Sequence, residues 1–434
     1  MSKYLFVGHD LAYFDFFQNL EIGILHKNPN ATIQHIYTRP STFLFACLNG
    51  YNAGTPFFSR FTFKANKSNQ DEADLDLDLD LDLDLDLDLD FYLASESANE
   101  KHLKEIYSGY AKWIKENVIG DIGDTTIITS GEYRLFEQAL LNFVKSKNVN
   151  ILYFEAGPPG YIYLSASGVN ANADFTQNGV SLITKKYKQY SPSCQVLINR
   201  DIQKFQFHFI FRVIDLMFYI PMWIISRLGD HEEFLLSAYE RVGLFFSSKF
   251  SNNNSGSKIP KGKYYLFLGQ VKEDVNSTHF GLNANVIEKK LLELTRISKH
   301  SVVMRPHPLQ KIPKNIMDLC NKYPLSFFYD GGNKGLEKQI VNSLGVVTVN
   351  SNGGLESLGL GKPVWTLGSS YYDGCFGVVK SAGALIQADN NKQKIIDASI
   401  DFIDNCFIPI DYRNHDFTNA QKLGSFLESG KLWQ

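Results

Sequence analysis

The chain has 434 residues, of which 44% are hydrophobic and 21% charged, and its formal net charge is -3 at pH 7. Because a single hydrophobic core rarely grows beyond about 250–300 residues, a chain of this length predicts at least two domains. The five cysteines are widely spaced and form no C-x-x-C pair, which argues against a disulfide framework and a cysteine zinc site and favours a reducing cytoplasm. No dense Lys/Arg cluster is present, so a nucleic-acid partner is not expected.

The N-terminal part of the chain alternates predicted strands and helices. Residues 3–8 and 32–38 are short apolar runs typical of buried strands, and residues 15–28 between them predict a helix. Residues 125–157 repeat the scheme as strand, turn, helix and strand. Strands separated by helices of this length predict a parallel α/β sheet. The first ten residues carry one lysine and a short apolar run, so no signal peptide is expected.

Between Asp74 and Asp90, nine aspartates alternate with eight leucines. As a helix this repeat would spread leucine over all faces, and as a strand of 17 residues it would extend about 56 Å, far beyond the usual 5–6 residues. We predict that residues 71–92 are a surface insertion produced by repeat expansion, with partner binding and divalent-ion binding as alternatives. Without the nine aspartates, 43 basic and 37 acidic residues remain, a net charge of +6.

Residues 205–231 form a long aromatic and apolar segment. Arg212, Asp215 and the central Pro221 argue against a membrane span, because charges near the middle of a span are costly in hydrocarbon. A buried core helix and an interfacial pair of aromatic helices both fit the segment, and its flanking basic residues favour the interfacial interpretation slightly.

A polar stretch at residues 247–263 predicts a linker. After it, predicted strands and helices alternate again. The apolar runs of the second part predict a further set of strands, at residues 264–269, 301–306, 345–350 and 362–368. The sequence therefore predicts two α/β domains, residues 1–246 and 264–410, followed by a C-terminal helix at residues 411–434. Ligands of such sheets bind beyond the carboxyl ends of the strands, so the loops that follow the strands should hold the chemistry.

Two of these loops carry carboxylates. Glu155 ends a predicted strand and meets a Gly-Pro-Pro-Gly turn, a place suited to acid–base work, although an ordinary surface glutamate fits equally well. Gln270 and Asp274 follow the strand at residues 264–269 and lie four positions apart, so both side chains project the same way if a helical turn starts there. Asp274 could act as a nucleophile or base, or it could simply cap a helix.

Two more loops carry groups that suit a phosphate or a sugar. Arg305 and His307 follow a strand in the motif R-P-H-P, whose prolines stiffen the backbone, and both side chains could donate to a phosphate. Ser351 and Asn352 lead into a helix start whose backbone N–H groups could bind phosphate, and Glu356 in the first turn could accept from a sugar hydroxyl. An ordinary capped helix is the alternative.

The combination of Q-x-x-x-D, R-P-H-P, and "SNGGLE" followed by "GKPVWTLG" resembles the capsule polysaccharide biosynthesis proteins. This is the group of β-Kdo glycosyltransferases that build the lipid-attached linker of Gram-negative capsules. "SGEYRLFEQA" and "YFEAGPPGYIYLSASGVNANA" extend the resemblance, which covers residues 125–373. The Pro-Pro pair after the glycine turn departs from the family pattern, and the Asp–Leu repeat has no counterpart in it.

The resemblance implies a GT-B fold, in which an N-terminal acceptor domain and a C-terminal nucleotide-sugar domain, both Rossmann-like, face a central cleft that binds CMP-Kdo. It implies that Asp274 is the nucleophile of a retaining reaction and that His307 lies near the donor phosphate. Glu155 would act as acid–base or position the acceptor. Further residues implied in substrate binding are Gln270, Arg305, Ser351, Asn352, Glu356, Gly157, Tyr161 and Asn170.

The resemblance also implies partners and a location. The donor would be a nucleotide sugar and the acceptor a phospholipid-linked glycan, at the cytoplasmic face of the inner membrane, with other capsule assembly proteins as further partners. No cofactor and no metal are required by this interpretation. A transferase using another donor, such as CMP-sialic acid or a CDP-alditol phosphate, and a non-catalytic capsule export or assembly protein remain alternatives.

Overall fold

The computed structural model describes most of both predicted α/β parts of the chain. The described residues are 2–8, 13–37, 40–48, 55–56, 100–118, 124–191, 217, 260, 262–270, 275–307, 312, 314–330, 335–388, 391–411 and 418–432. The predicted insertion at residues 71–92, nearly all of the aromatic segment, most of the predicted linker, and Asp274 lie outside these residues.

Strands and helices alternate along the described residues. The strands are β1 Lys3–Val7, β2 Thr32–Tyr37, β3 Thr55–Pro56, β4 Thr125–Thr129, β5 Val149–Ala156, β6 Ile162–Ser165, β7 Tyr264–Leu268, β8 Ser301–Arg305, β9 Phe327–Tyr329, β10 Gly345–Thr348, β11 Val364–Thr366 and β12 Val378–Val379. The α-helices are α1 Phe14–Lys27, α2 Pro40–Leu48, α3 Glu100–Asn117, α4 Leu135–Val144, α5 Leu182–Tyr190, α6 Val275–His279, α7 Ala284–Ser298, α8 Lys314–Lys322, α9 Leu336–Asn342, α10 Gly353–Gly359, α11 Ala382–Gln387, α12 Lys392–Cys406 and α13 Thr418–Glu428.

The chain divides into two compact units. The first unit combines three segments of the chain, Met1–Val169, Lys186–Ala238 and Ile408–Gln434. The second unit combines Asn170–Lys185 and Tyr239–Phe407.

The first unit contains a six-stranded sheet in the order β3-β2-β1-β4-β5-β6. All neighbouring strands are parallel except β6, which is antiparallel to β5. Strand β4, with the sequence TTIIT, is buried at every position, as expected for a parallel strand covered on both faces. Leu5, Val7 and Ile127 pack in a core that includes residues of α3 and α4.

Helix α13 packs against α1 in this unit at very short range. A Cβ on Gly424 would lie 2.1 Å from the Leu20 carbonyl oxygen, and a Cβ on Gly23 would lie 2.0 Å from the Gln421 carbonyl oxygen. Ser425 donates its hydroxyl to the Gly23 carbonyl oxygen at 2.9 Å. The two backbones can therefore approach only because both positions are glycine.

The second unit contains a six-stranded, fully parallel sheet in the order β12-β11-β10-β7-β8-β9. Strand β7, with the sequence YYLFL, is buried at all five positions. Leu291 and Leu294 of α7 are completely buried against this sheet, and burying one leucine side chain contributes about 1.5–3 kcal/mol. Asn283 caps the start of α7 by accepting from the Val286 N–H.

Both sheets follow one topology. In each, the strand order runs outward from the first strand of the unit and then reverses, which is the 3-2-1-4-5-6 order of a Rossmann fold. The prediction of an α/β protein with two Rossmann-like domains is confirmed. Among the described helices, none combines the length and the hydropathy needed to cross a membrane.

Candidate functional site

The strand order of the second sheet reverses between β7 and β10, and the side chains that follow these two strands are joined there. Gln270 comes two residues after β7, and Asn350 comes two residues after β10. The Gln270 amide nitrogen donates to the Asn350 side-chain oxygen, and the Asn350 backbone N–H donates to the Gln270 side-chain oxygen at 3.2 Å. Ligands of open α/β sheets bind in the crevice at such a reversal, so this pair marks the site of the unit.

Asn350 also binds helix α6 and the loop after β11. Its side-chain nitrogen donates to the carbonyl oxygens of Asn276 at 2.7 Å and Ser369 at 3.1 Å. The residue is only 5% exposed. Asn350 was not predicted as a site residue, because in the sequence it is only the last residue of a predicted strand. The signal available was its place directly before the Ser-Asn-Gly-Gly stretch.

His307 lies beside the end of β7. Gly269 donates its backbone N–H to the Arg305 carbonyl oxygen at 2.8 Å, and a Cβ on Gly269 would lie 3.3 Å from the backbone nitrogen of His307. Burial lowers the pKa of His307 below its ordinary value of 6.5. The imidazole is therefore neutral at pH 7, with one nitrogen able to donate and the other able to accept. The structure thus brings His307 to the same sheet edge as Gln270.

Arg305 points to partners inside the unit. It is 8% exposed, and its Nη1 donates to the Gln339 side-chain oxygen at 2.7 Å and lies 3.6 Å from the Asp330 carboxylate. Gln339 in turn donates its amide to Asp330. Burial lowers the pKa of Arg305, and the Asp330 carboxylate opposes that shift. Arg305 thus fixes the end of β8 to β9 and α9, and its predicted contact with a phosphate stays a prediction.

The first two backbone N–H groups of α10 are hydrogen-bonded to Ser351, which precedes the helix. Gly353 donates its N–H to the Ser351 hydroxyl at 3.3 Å, and Gly354 donates its N–H to the Ser351 carbonyl oxygen at 2.8 Å. Two N–H groups that were predicted to bind a phosphate are therefore already hydrogen-bonded within the turn. Asn352 and Glu356 are exposed, so both side chains are accessible in this unit.

Two tyrosines from the loop after β11 hold this turn in place. Tyr371 donates its hydroxyl to the Asn352 side-chain oxygen at 2.9 Å, and Tyr372 donates its hydroxyl to the Ser351 carbonyl oxygen at 2.6 Å. Tyr372 is completely buried, and a Cβ on Gly354 would lie 2.2 Å from its oxygen. These tyrosines were not predicted as site residues, although the Ser-Ser-Tyr-Tyr-Asp run after a predicted strand contains them.

The strand order of the first sheet reverses between β1 and β4, and a second polar cluster lies there. Ser130 donates its hydroxyl to the Gly8 carbonyl oxygen at 2.7 Å. Gly8 has a φ of 71°, and a Cβ on it would lie 2.5 Å from a carboxylate oxygen of Glu137, which is 3% exposed. A buried carboxylate thus lies directly beside Gly8, the residue that follows β1.

Glu132 completes this edge of the first sheet. Its carboxylate accepts from the Val169 N–H at 3.1 Å. Burial and then the Glu132 carboxylate raise the pKa of Tyr153 to about 12. Glu132 and Glu137 were not predicted as site residues, although both belong to the motif "SGEYRLFEQA" after a predicted strand.

Glu155 lies within β5, next to β4, and is half-buried. Its carboxylate accepts from the Ala156 N–H at 2.9 Å. The turn that follows Glu155 is held by a hydrogen bond in which Gly157 donates its N–H to the Tyr161 carbonyl oxygen at 3.0 Å. Glu155, Gly157 and Tyr161 therefore lie close together in the first unit.

Asn170 belongs to the second unit, where it adopts a φ of 55° and is 8% exposed. Its carbonyl oxygen accepts from the Ala173 N–H at 3.1 Å and the Thr176 hydroxyl at 3.4 Å. Asn170 thus lies in a turn of the chain and accepts two hydrogen bonds there. Its predicted contact with substrate stays a prediction.

The described part of the chain contains no group of three or more His, Cys, Asp and Glu side chains that could hold a metal ion. The expectation that no metal is required stays untested. The second unit offers a half-buried imidazole, paired amides and exposed polar groups at the carboxyl ends of its strands. The first unit, by itself, offers carboxylates at the carboxyl ends of its own strands.

A family model described as capsule polysaccharide biosynthesis protein matches residues 126–405. A comparison with curated proteins finds no match. The family assignment rests on the family model.

Among solved structures, KpsC, beta Kdo 2,7 transferase, from Thermosulfurimonas dismutans is 12% identical with a TM-score of 0.37, and the match covers 92% of this chain and 90% of that chain. The beta Kdo 2,4 transferase of KpsC from the same organism is 12% identical with a TM-score of 0.33, covering 63% and 78%. UDP-GlcNAc 2-epimerase from Methanocaldococcus jannaschii is 13% identical with a TM-score of 0.34, covering 99% and 100%.

Proposed function

Since the chain belongs to the capsule polysaccharide biosynthesis proteins, we propose that it is a glycosyltransferase that moves Kdo, an acidic sugar, from CMP-Kdo to a lipid-linked acceptor. One observation carries the proposal. The motif residues that follow β7, β8 and β10 converge at the point where the strand order of the second sheet reverses, with Gln270 bonded to Asn350 and the 305–307 segment against Gly269. That is where a Rossmann-like unit binds a nucleotide.

In this proposal the second unit binds the donor. His307, neutral at pH 7, donates an imidazole N–H to the phosphate of CMP-Kdo and stabilises the charge that develops on the departing phosphate. Asn352 and Glu356, both exposed, bind hydroxyl groups of the nucleotide sugar. Gln270, Arg305 and Ser351 shape the loops from which these groups project.

Asp274, which lies outside the described residues, would be the nucleophile. Its carboxylate attacks the anomeric carbon of Kdo, and the bond from that carbon to the phosphate oxygen breaks, so that CMP leaves with the bonding electrons. The acceptor hydroxyl then attacks the same carbon and displaces Asp274, while Glu155 takes the hydroxyl proton. Two displacements at one carbon retain its configuration.

The acceptor would be a phospholipid-linked glycan bound by the first unit, with Glu155, Gly157 and Tyr161 near the acceptor hydroxyl. Outside the Asp–Leu repeat, the chain carries a net charge of +6, which suits an anionic membrane surface. We place the protein at the cytoplasmic face of the inner membrane, with the aromatic segment at residues 205–231 as the contact.

The direct test is mass spectrometry of the protein after incubation with CMP-Kdo. A sugar adduct on the peptide that contains Asp274 is expected in the wild type and absent from Asp274→Asn. Asp401→Asn is the matched control, since Asp401 is exposed on α12 and the adduct should persist there.

Two results would contradict the proposal. Turnover of another nucleotide sugar without any Kdo transfer would reject CMP-Kdo as the donor. Capsule assembly and in vitro transfer that both survive Asp274→Ala would reject catalysis through this site and favour a non-catalytic export or assembly protein.

A further inference from the structure

Asp373 lies in the loop between β11 and β12, and its carboxylate is the centre of a hydrogen-bond cluster in the second unit. The carboxylate accepts from the Thr366 hydroxyl at 3.0 Å, the Lys380 Nζ at 2.6 Å, and both the N–H and the hydroxyl of Ser370 at 3.0 and 2.7 Å. Thr366 ends β11, and Lys380 directly follows β12. Asp373 therefore joins the carboxyl ends of two neighbouring strands to the loop between them.

Both oxygens of the Asp373 carboxylate have partners inside the protein. One oxygen accepts from the two hydroxyl groups of Thr366 and Ser370, which are 1% and 2% exposed, and the other accepts from the Ser370 N–H and from Lys380. Lys380 also donates to the Gly368 carbonyl oxygen at 2.8 Å, at the start of the loop. Because its acceptors are used in this way, Asp373 acts on a ligand only through the loop that it holds.

The two tyrosines next to Asp373 bind the turn that precedes α10. The hydroxyl of Tyr371 donates to the Asn352 side-chain oxygen at 2.9 Å, and the hydroxyl of Tyr372 donates to the Ser351 carbonyl oxygen at 2.6 Å. Burial, and then the neighbouring Tyr371 and Asp373, raise the pKa of Tyr372 well above its ordinary value of 10, so this hydroxyl keeps its proton. The loop fixed by Asp373 is therefore also the loop that holds Asn352.

The position requires a carboxylate. Asparagine has nearly the same shape as aspartate, but its amide places an N–H donor where one of the two oxygens stood. Each oxygen of Asp373 faces two donors, so two donors lose their acceptor whichever way the amide is turned. Since the Thr366 and Ser370 side chains are buried, donors left without an acceptor there destabilise the loop.

We infer that Asp373 is a positioning residue that holds the loop between β11 and β12 and, through the Tyr371 hydroxyl, orients Asn352 towards the nucleotide sugar. Asn352 is exposed, and since Tyr371 donates to its side-chain oxygen, its amide nitrogen is the end directed away from the tyrosine. That nitrogen is the group that donates to an oxygen of the sugar nucleotide. This inference rests on the proposed function for the identity of the ligand.

The first test needs no substrate. Hydrogen–deuterium exchange of the full-length protein is measured for the wild type and Asp373→Asn. The variant should exchange faster in peptides that cover residues 368–373 and also in those that cover residues 350–354, while peptides from α7 keep their protection. Exchange that is unchanged at residues 350–354 would overturn the inference, because the loop would then not hold the turn before α10.

Asp397→Asn is the matched control, since it removes the same charge from the same unit. Asp397 is exposed on α12, where it accepts from the Gln393 amide at 2.8 Å. Its exchange at residues 350–354 and 368–373 should equal that of the wild type. Faster exchange there in this control as well would assign the effect to the loss of a charge anywhere in the unit and contradict the inference.

Kinetics measure the effect on the nucleotide sugar. A group that binds the ligand equally before and during the reaction affects the Michaelis constant and leaves kcat unchanged. Asp373→Asn should therefore raise the Michaelis constant for CMP-Kdo about tenfold, the factor that corresponds to one hydrogen bond in binding. A fall in kcat at an unchanged Michaelis constant would contradict the inference.

A double-mutant cycle with Tyr371→Phe tests whether the effect passes through this tyrosine. Phenylalanine keeps the ring and removes only the hydroxyl that donates to Asn352. Tyr371→Phe alone should raise the Michaelis constant about tenfold, and adding Asp373→Asn should raise it little further, because both changes remove the same hydrogen bond. A combined rise of about 100-fold, the product of two independent effects, would overturn the inference.

Lys380→Met is the second variant if Asp373→Asn does not fold. The Lys380 side chain is 51% exposed, and its loss removes one donor to Asp373 and the bond to the Gly368 carbonyl oxygen. The same peptides should exchange faster, and the Michaelis constant should rise with kcat unchanged. A Lys380→Met protein identical to the wild type in both measurements would contradict the inference.

The two proposals can fail separately. A wild-type protein without transferase activity, whose Asp373 variant still exchanges faster at residues 350–354, would reject the proposed function and keep the positioning role. Wild-type kinetics for CMP-Kdo in Asp373→Asn, with unchanged exchange, would keep the function and reject the positioning role.

Discussion

At the residue scale, the protonation of His307 makes the stability of the folded protein depend on pH. Burial lowers its pKa below 6.5, the ordinary value that it keeps in the unfolded chain. Protonation therefore favours the unfolded state, so the stability contributed by the neutral imidazole is complete above pH 6.5 and is lost as the pH falls below it, towards the lowered folded pKa.

We expect the wild type to lose unfolding free energy relative to His307→Gln as the pH falls below 6.5, since glutamine does not titrate. Urea unfolding of both proteins across that range measures the difference, and NMR titration of the His307 ring gives the folded pKa directly. A ring that titrates above 6.5, or two stability curves that remain parallel, would contradict the prediction.

The sequence could predict His307 and not Asn350, for a physical reason. Prolines on both sides of His307 and a preceding apolar strand are local features that restrict its backbone. Asn350 matters through partners that are 80, 74 and 19 positions away, namely Gln270, Asn276 and Ser369. Contacts at such separations depend on strand order, which a pattern along the chain does not contain.

At the element scale, the contact between α1 and α13 depends on two glycines. Gly424→Ala would place a methyl group 2.1 Å from the Leu20 carbonyl oxygen and force the helices apart. Overpacking of this kind costs about 1–3 kcal/mol, so a lower midpoint of thermal unfolding is expected.

Gly383→Ala in α11 is the matched control, because a Cβ there has no heavy atom within 4 Å. Alanine is a better helix former than glycine by about 0.5–1 kcal/mol, so this control should be neutral or slightly stabilising. Equal midpoints for the two variants, measured by calorimetry, would show that the helices do not depend on this close contact.

The elements that the sequence predicted are those with long apolar runs. Strands β1, β7 and β8 each have five residues, nearly all buried, and each was predicted within about one residue. Strands β9 and β12 have only three and two residues and gave no periodic signal. Rossmann-like domains could be predicted from the alternation of strands and helices, whereas the position of each sheet's reversal came only from the pairing of strands.

At the scale of the whole molecule, the Asp–Leu repeat determines the sign of the net charge. The residues proposed for catalysis and substrate binding all lie between positions 155 and 356, after the repeat ends at Asp90. Removing four Asp–Leu pairs changes the formal net charge from -3 to +1. We therefore expect earlier elution from an anion exchanger and transferase activity close to that of the wild type.

Replacing four of the same aspartates with asparagine is the control that changes charge without changing length. If the shortened protein folds but loses most of its activity while the asparagine variant keeps it, the length of the repeat has a role in the reaction. The interpretation of the repeat as a tolerated insertion would then be wrong.

The return of the chain to the first unit affects how the protein is made. Ile162 and Ile408 exchange backbone hydrogen bonds of 3.0 and 2.8 Å, and α13 packs on α1. On the ribosome, α1 emerges about 400 residues before its partner, which at about 5–20 residues per second is a delay on the order of 20–80 s. The first unit is therefore completed only after residues 418–428 have been synthesised, so a nascent chain released before residue 418 carries an unfinished first unit however well its second unit has folded.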